Sequence, residues 1–373
     1  MARIKRKLLS EELAEAITKE IAAGVWKERL PGYRVLGKRY DVSRPTCERA
    51  LAVLEANGVV GPAEPGKMRP VLRKRFKKMV SARMNLLIVI DSRHPPSPLD
   101  AETLMQVEIF WKAEGGEVSR VECDLMRNSK PSYLLKKWIR ALGADCLVFE
   151  TIASAEWIMA TEKLGLPCYA FGGASGGRGI LSRTGFQVTK CIEKSLPEIL
   201  KLGHRRILLV IGRATVEQEM RNMIQEVTDP ILEKDWGPEE VSFSVMIPDL
   251  VHPKDWQSWW RETLPRERPT IVLTESVFQA VCLHDICLNL GIQMPLDMSM
   301  MVLEDAEFLQ WLSPLPTRYR YQYEEAFRHF KDWVRGGFAQ GSIKFFSGEF
   351  IMGETLGPVS KKRKVKSVFG SVE

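Results

Sequence analysis

Apolar and polar positions alternate in two different ways along the chain, and the change falls near residue 84. Before it, apolar residues recur every three or four positions, which is the spacing of helices that bury one face. After it, short apolar runs alternate with amphipathic stretches, a pattern typical of buried parallel strands separated by helices. The runs lie at residues 86–91, 146–150, 168–171, 207–211, 271–274 and 300–303. The pattern predicts a small helical unit followed by two doubly wound sheets.

The first part of the chain predicts three helices. Ser10 is the expected N-cap of the first helix, and residues 36–40 form a short second one. Ser43 is expected to cap the third helix, which ends at Asn57-Gly58, as helices with a glycine C-cap do. The positions expected to face the core are Leu13, Ile17, Ile21, Ala50, Leu51 and Leu54.

The second and third helices are joined by a tight turn, which is the geometry of a helix-turn-helix. The first turn of the third helix presents polar side chains that can reach base edges in a major groove, such as Arg44 and Arg49. Two predicted strands, at residues 59–61 and 69–72, flank Gly66. Such a strand pair is the wing of a winged helix-turn-helix, so this part of the chain is expected to bind DNA.

One continuous block carries a family pattern made of short motifs at turns and helix ends. These are Leu30-Pro31, Arg34, Leu36, Val42-Ser43-Arg44, Thr46, Ala50-Leu51, Leu54-Glu55, Asn57-Gly58 and Gly66. The block resembles the DNA-binding domain of GntR-type bacterial regulators, and the resemblance implies that Arg34 and Arg44 contact DNA. The family's usual Arg-Glu order is reversed here, so a contact expected at Glu48 can shift to Arg49. The expected DNA-binding set is Arg34, Ser43, Arg44, Pro45, Thr46, Arg49, Gly66 and Lys67.

Positive charge is concentrated in the same part of the chain. Residues 1–80 hold 19 Lys and Arg against 9 Asp and Glu, whereas the whole chain has a formal net charge of +7. A basic unit of this size can bind a polyanion through counterion release, although composition alone leaves DNA, RNA and an anionic surface open. The basic residues 361–366 are expected to be a solvated tail.

Neither a membrane protein nor a secreted protein is expected. No apolar run approaches the ~20 residues that span a bilayer, and the basic start lacks the apolar core of a signal peptide. The seven cysteines are scattered and include no CxxC pair, so reduced and buried thiols are expected. We therefore expect a cytoplasmic protein with no membrane partner.

The longer part of the chain carries a second and looser set of family motifs. They are the stretch 202–207 entering a strand, Arg221 on the following helix, Pro269-Thr270, Gly291-Ile292 with Met294-Pro295, Glu304-Asp305 and the stretch 314–317. This order resembles the effector domain of LacI-type repressors, which is related in fold to periplasmic sugar-binding proteins. The resemblance implies two lobes around a cleft that binds a small molecule. A GntR-type DNA-binding domain joined to such an effector domain is similar to the arabinose-repressor architecture.

The expected fold is therefore multi-domain. An α+β winged helix-turn-helix occupies residues 1–75, and a basic linker follows at 76–83. An α/β two-lobed, doubly wound domain of the type I periplasmic-binding-protein kind occupies residues 84–350, and a basic tail follows at 351–373. The larger domain is expected to bind the effector and to form a homodimer.

In open parallel sheets, ligands bind beyond the carboxyl ends of the strands. The resemblance implies that Arg221 points into the cleft and forms forked hydrogen bonds with ligand oxygens. Strand ends supply the other candidates, and the expected effector set is Ser92, Arg93, Glu150, Arg221, Glu275, Ser276, Glu304 and Asp305. The family's usual Asn-Asp pair reads Ser276-Val277 here, so one carboxylate for sugar hydroxyls is lost. Glu304 and Asp305 can replace it, or can simply cap a strand end.

Motifs for other chemistry are missing from the sequence. The five histidines lack HxH and HExxH spacing, and the chain contains no nucleotide-binding loop and no nucleophile motif. We therefore expect no metal, no cofactor and no catalysis. Trp256, Trp259 and Trp260 recur at helical spacing and are expected to pack on a core.

The expected function is that of a bacterial transcription regulator. It is expected to act as a repressor at an inverted-repeat operator in double-stranded DNA, under the control of a sugar or sugar derivative. One alternative is a constitutive DNA-binding protein whose larger domain only dimerises. Another is an enzyme of doubly wound fold with a nucleic-acid anchor, although no catalytic motif favours it.

Overall fold

The computed structural model describes an N-terminal unit and two α/β lobes. The described residues are 9–22, 25–26, 28–56, 59–62, 68–71, 84–93, 96–125, 130–150, 155–172, 181–212 and 217–359. Several sequence predictions lie outside them, namely the Asn57-Gly58 cap, the wing tip with Gly66 and Lys67, the linker and the basic residues 361–366.

The N-terminal unit contains three helices around a small apolar core. The helices are α1 (Leu9–Ala22), α2 (Tyr33–Tyr40) and α3 (Arg44–Ala56). Each helix buries apolar side chains at helical spacing, and the predicted inner positions are buried, including Ile17, Leu36 and Leu54. The predicted N-cap Ser10 instead lies within the first turn, because α1 already begins at Leu9.

The turn between α2 and α3 is set by two polar residues. Asp41 adopts the left-handed conformation, with φ of 51°, and its backbone N–H donates to the carbonyl of Gly37. Aspartate tolerates this conformation better than most residues do. Ser43 then accepts a hydrogen bond from the backbone N–H of Thr46 at 3.4 Å, as predicted for the cap of α3. The second and third helices are therefore joined by a short connection with defined geometry.

Short strands cover one end of this unit. Strand β1 (Arg29–Leu30) pairs antiparallel with β2 (Arg69–Pro70), and Val60 forms an antiparallel bridge with Val71. The sequence predicted the pairing of the 59–61 and 69–72 segments but missed β1. A strand of two residues is too short to show an alternation of apolar and polar side chains. It can be identified only from its pairing with β2.

The first lobe is built on a sheet of six parallel strands. They are β3 (Asn85–Asp91), β4 (Glu117–Cys123), β5 (Ala144–Phe149), β6 (Cys168–Phe171), β7 (Ser182–Phe186) and β13 (Ile343–Phe346), in the order β13-β7-β6-β5-β3-β4. Its helices are α4 (Pro98–Ala113), α5 (Pro131–Leu142), α6 (Ala155–Glu162) and α11 (Tyr323–Arg335). Alternate residues of β3 pack on α4 and α11 on one face and on α5 and α6 on the other.

The second lobe repeats this architecture. Its strands are β8 (Arg206–Val210), β9 (Ser242–Met246), β10 (Ile271–Thr274), β11 (Ser299–Val302), β12 (Thr317–Arg320) and β14 (Glu349–Ile351), in the order β14-β12-β11-β10-β8-β9. Only β14 runs antiparallel to its neighbour among these strands. Its helices are α7 (Val188–Lys201), α8 (Glu217–Leu232), α9 (Pro253–Glu267) and α10 (Val277–Leu290), and a 3-10 helix covers Glu307–Trp311. Both faces of the sheet are covered, as a doubly wound sheet requires.

Three segments connect the two lobes. The chain passes from β7 into α7 through Gln187, returns from β12 to α11 through residues 321–322, and crosses again between β13 and β14 through residues 347–348. The rings of Phe186 and Tyr321 lie 4.2 Å apart between centroids, so two of the crossings pack on each other.

All six strands predicted from apolar runs are present, which confirms the two-lobed α/β fold expected for this part of the chain. The predicted boundary at residue 350 is too early. The backbone N–H of Met300 donates to the carbonyl of Thr355, and that of Val359 donates to the carbonyl of Leu202. Residues 351–359 therefore pack against the second lobe rather than forming part of a tail.

The tryptophans of α9 pack on the core of the second lobe, as predicted. Trp260 is fully buried, and its ring centroid lies 4.8 Å from that of Trp259. Trp256 is partly buried against the same core. These rings attach α9 to the sheet.

Trp260→Ala should lower the free energy of unfolding of the second lobe by about 3 to 5 kcal/mol, because apolar burial is lost and a cavity remains. Urea denaturation followed by circular dichroism measures this change. Trp311→Ala is the matched control, because Trp311 is 87% exposed and its loss should change stability by about 0.5 kcal/mol at most. Equal effects of the two substitutions would contradict this description of the core.

Candidate functional site

The carboxyl ends of the two parallel sheets border one cavity between the lobes, with a volume of about 1010 Å³. Acidic residues stand where strands of both lobes end. Asp91 and Glu150 come from the first lobe, and Glu275 and Glu304 come from the second. Asp100, in the first turn of α4, adds a further carboxylate.

Backbone N–H groups hold the three glutamates of this cleft. Oε2 of Glu275 accepts a hydrogen bond from the N–H of Gly212 at 2.8 Å, and Oε2 of Glu304 accepts one from the N–H of Val277 at 2.8 Å. In the first lobe, Oε2 of Glu150 accepts from a strand-end N–H at 3.3 Å. A backbone amide orients a carboxylate but supplies no full positive charge. These amides therefore keep the carboxyl groups of the cleft in defined positions.

Glu304 is the most perturbed of these acids. Burial, together with the nearby charges of Asp100 and Glu275, raises its pKa to about 8. Hydrogen bonds from the Val277 amide and the Ser97 hydroxyl partly offset this rise. At neutral pH, Glu304 is therefore mostly protonated in the ligand-free protein.

Apolar and aromatic side chains form much of the remaining wall. Tyr321 and Tyr323 stand at the crossing between the lobes, and both pack on the ring of Phe186. The other aromatic residues of the wall are Phe171, Trp256, Phe278, Phe308 and Phe345. A ligand in this cavity can contact aromatic faces and carboxylates at the same time.

Arg93 is the only Lys, Arg or His among the described residues that line the cavity. Its Nη2 atom lies 2.8 Å from Oδ1 of Asp249, and its Nε atom lies 3.9 Å from Oδ2 of Asp124. Arg93 follows a strand of the first lobe, whereas Asp249 follows a strand of the second. The arginine thus forms an ion pair that joins the lobes.

The structure brings five of the eight predicted effector residues to the cavity wall. These are Arg93, Glu150, Glu275, Ser276 and Glu304. Ser276 also serves as the N-cap of α10, where its hydroxyl accepts from the N–H of Gln279 at 3.4 Å.

The other three predicted residues, Ser92, Arg221 and Asp305, are not among the lining residues. The guanidinium of Arg221 bonds to Glu217 and donates to the carbonyl of Val245, both at 2.7 Å, so its donors are engaged at the edge of the sheet. Asp305 accepts hydrogen bonds from Arg318 at 2.5 Å and from a second arginine at 3.1 Å.

Sequence reasoning missed Asp91, Asp100, Gln279 and the aromatic residues of the crossings. Asp91 could have been predicted as a cleft residue, because it ends the first predicted strand. Asp100 and Gln279 lie in the first turns of helices, and only the packing of those helices brings them to the cleft. The aromatic residues near 321–323 follow a short polar strand that carries no apolar run.

Those predicted DNA-binding residues that the structure describes lie on the outer face of the N-terminal unit. Arg34, Pro45 and Arg49 are exposed, and the hydroxyl of Thr46 lies 2.9 Å from that of Ser43. Two contacts hold the side chain of Arg44.

Arg44 stands at the first position of α3 with its side chain 63% exposed. Its Nε atom donates to Oε1 of Glu48 at 2.8 Å, and its guanidinium lies 4.3 Å from the ring centroid of Tyr33. Glu48, one helical turn later, therefore orients Arg44.

No helix within the described ranges is long and apolar enough to cross a membrane. The same residues contain no group of three or more His, Cys, Asp or Glu side chains that could hold a metal ion.

Neither a family model nor a curated protein matches the sequence. Solved structures do match. A LacI family transcriptional regulator from Silicibacter pomeroyi has a TM-score of 0.58 and 13% identity, over 72% of this chain and 98% of that one. A LacI family regulator from Arthrobacter sp. FB24 in complex with lactose has a TM-score of 0.58 and 12% identity, over 74% and 99%.

A LacI family regulator from Weissella paramesenteroides with bound sucrose has a TM-score of 0.58 and 11% identity, over 74% of this chain and 100% of that one. At such identities the likeness concerns the fold alone. The two lobes of this protein have the same fold as these LacI family proteins.

Proposed function

We propose that this protein is a transcription regulator whose N-terminal unit binds DNA and whose two-lobed domain binds a small molecule that controls DNA binding. The observation that carries the proposal is the pairing of two features in one chain. One is a helix-turn-helix arrangement with exposed arginines, and the other is a ligand-sized cleft in a LacI-type fold.

The N-terminal unit is proposed to be a winged helix-turn-helix of the GntR type. Its second and third helices meet at the sharp turn after Tyr40, and a strand pair follows where a wing is expected. The start of α3 presents Arg44, Thr46 and Arg49 outward, as a recognition helix does in a major groove. The excess of Lys and Arg in residues 1–80 supports contact with phosphates.

The cleft is proposed to bind the effector, with Arg93, Glu150, Glu275, Ser276 and Glu304 among its contacts. Its volume of about 1010 Å³ suits a molecule of sugar size, and its carboxylates can accept hydrogen bonds from hydroxyl groups. Two of the structures with this fold contain lactose or sucrose. A sugar or sugar derivative is therefore the proposed ligand class.

The protein is proposed to act as a homodimer on an inverted repeat, as a repressor. One small helical unit buries too little surface for tight specific binding, and two linked units raise affinity through effective concentration. Met105 and Ile109 lie one turn apart on α4 and are 49% and 56% exposed, so they offer an apolar patch to a second copy.

Arg44→Ala and Arg34→Ala should each weaken specific DNA binding by about 1 to 3 kcal/mol, which is the usual worth of a base contact. Fluorescence anisotropy with a duplex that the full chain selects from random-sequence DNA measures this loss. Arg261→Ala is the matched control, because Arg261 is exposed on α9 of the second lobe. Parental affinity in both variants, or failure to select any sequence, would refute the assigned recognition helix.

Light scattering of the full chain at micromolar concentration should give the mass of a dimer, and Ile109→Glu should shift it toward a monomer. A buried charge in place of an apolar contact opposes association. Met159→Glu is the control, because Met159 is 51% exposed on α6, which packs on the opposite face of the same sheet. A parental monomer, with and without DNA, would contradict the dimer.

A further inference from the structure

The cleft between the lobes extends beyond the strand ends along a helix of the second lobe. On α10, the residues that line the cavity are Phe278, Val281, Cys282 and Asp285. Positions with this spacing lie on one face of a helix and cover roughly 10 Å of its length, which is about two turns. The cavity therefore continues along one face of α10, away from the strand ends that carry the predicted effector residues.

The neighbouring helix α9 provides another wall of this extension. Pro253, Trp256 and Gln257 line the cavity at helical spacing, and all three lie near the start of α9. Both α9 and α10 begin beyond the carboxyl ends of parallel strands, β9 and β10, and the two helices pack side by side. Their first turns therefore border the same extension of the cleft.

Six apolar side chains of this extension form what we call the apolar pouch. They are Val251, Trp256, Phe278, Val281, Cys282 and Phe308. Four of them, Trp256, Val281, Cys282 and Phe308, also pack against the core of the second lobe. The ring of Trp256, for example, lies 5.7 Å from the ring of Trp259 between centroids. The walls of the pouch are therefore in place before a ligand binds, as is usual for small-molecule sites.

Two side chains indicate that the pouch favours an apolar group. Phe278 is 50% exposed although it borders a cavity, so a large part of its apolar surface is uncovered. Burial, with a smaller contribution from the charge of Asp285, raises the pKa of the Cys282 thiol to about 11, which indicates a poorly hydrated wall. A hydroxyl group loses hydrogen bonds to water in such surroundings, whereas an apolar group gains from leaving water.

The polar candidates occupy a different part of the same cavity. Glu150, Glu275 and Ser276 lie at the ends of strands, where a sugar ring is proposed to bind. The volume of about 1010 Å³ lies at the upper end of the range of about 300 to 1,000 Å³ that is usual for drug-sized ligands. A molecule that fills the whole cavity therefore needs a polar part and an apolar part.

We propose that the ligand of this cleft is a sugar derivative with an aromatic substituent, whose ring occupies the apolar pouch while the sugar lies at the strand ends. Trp256, Phe278 and Phe308 offer aromatic surfaces to that ring, and aromatic pairs gain more than their buried area alone provides. This inference rests on the proposed function and narrows it, because a free sugar reaches only the polar part of the cavity.

Calorimetry on the full chain tests the proposal with phenyl and methyl β-glycosides of glucose, galactose and xylose. The two members of each pair share the sugar and differ in the substituent. We expect at least one phenyl glycoside to bind about tenfold or more tightly than its methyl partner, because the pouch removes the ring from water. A smaller preference in every pair, or absence of phenyl glycoside binding at millimolar concentration, would overturn the inference.

Two variants locate the bound ring. Phe278→Ser should lower the phenyl preference by about fivefold or more, since one aromatic wall is lost. Cys282→Trp should remove the preference, because the larger side chain fills the pouch. Circular dichroism shows whether Cys282→Trp folds, and Phe278→Ser carries the test if it does not, because Phe278 is already half-exposed.

Leu288→Ser is the matched control, because Leu288 is 59% exposed on the same helix and does not line the cavity. It should leave the phenyl preference unchanged. A preference that survives Phe278→Ser, or that falls equally in Leu288→Ser, would show that the ring does not bind in the pouch.

Anisotropy with the selected DNA duplex separates this inference from the proposed function. A phenyl glycoside that binds in the pouch without changing DNA affinity would keep the pouch and remove the regulator. Methyl glycosides that change DNA affinity, with no preference for the phenyl group, would keep the regulator and overturn the pouch.

Discussion

The parallel direction of the strands is the constraint on which the cleft depends. When neighbouring strands run parallel, the loop after each strand emerges at the same edge of the sheet. Asp91 and Glu150 therefore meet at one edge, and Glu275 and Glu304 meet at the other. Three crossings of the chain then hold the two edges face to face. The strand direction and the crossings together bring residues that are far apart in sequence to one cavity.

Favourable and unfavourable electrostatic interactions both act across the cleft. Arg93 and Asp249 attract across the lobes, whereas the charge of Asp100 opposes the ionisation of Glu304. Backbone amides orient the glutamates. A ligand between the lobes can change the equilibrium between their open and closed arrangements. It does so only through its different affinity for the two states.

In the N-terminal unit, the charged groups of interest are exposed arginines. Arg44 is exposed, yet Glu48 and the ring of Tyr33 hold it in one orientation. An arginine held in position loses less conformational entropy on contact with a base or a phosphate. The pairing of Arg44 with Glu48 follows from helical geometry, since the two residues are four positions apart on α3. Arg34 and Arg49, by contrast, are exposed.

Much of the fold follows from the sequence, because continuous apolar runs mark strands that are buried on both faces. All six runs are strands, and the cap at Ser43 and the core positions of α1 and α3 lie as predicted. The strands that were missed lack such runs. Edge strands such as β4 and β9 are partly exposed, and β7 reads Ser-Arg-Thr-Gly-Phe although it is largely buried. Burial at β7 comes from its neighbours in the sheet, which no local pattern encodes.

The residues of the candidate site likewise fall into those that the sequence predicts and those that only the folded structure reveals. The strand-end candidates could be predicted from the sequence, and Glu150, Glu275 and Glu304 do line the cleft. Packing of the folded chain, by contrast, engages Arg221 and Asp305 with protein groups outside the lining. It also brought Asp100 and Gln279 into the cleft, because the first turns of α4 and α10 face the cavity only once both lobes are assembled. A side chain's position along a strand can be read from periodicity, whereas its partner across a cleft depends on how two separately folded sheets are joined.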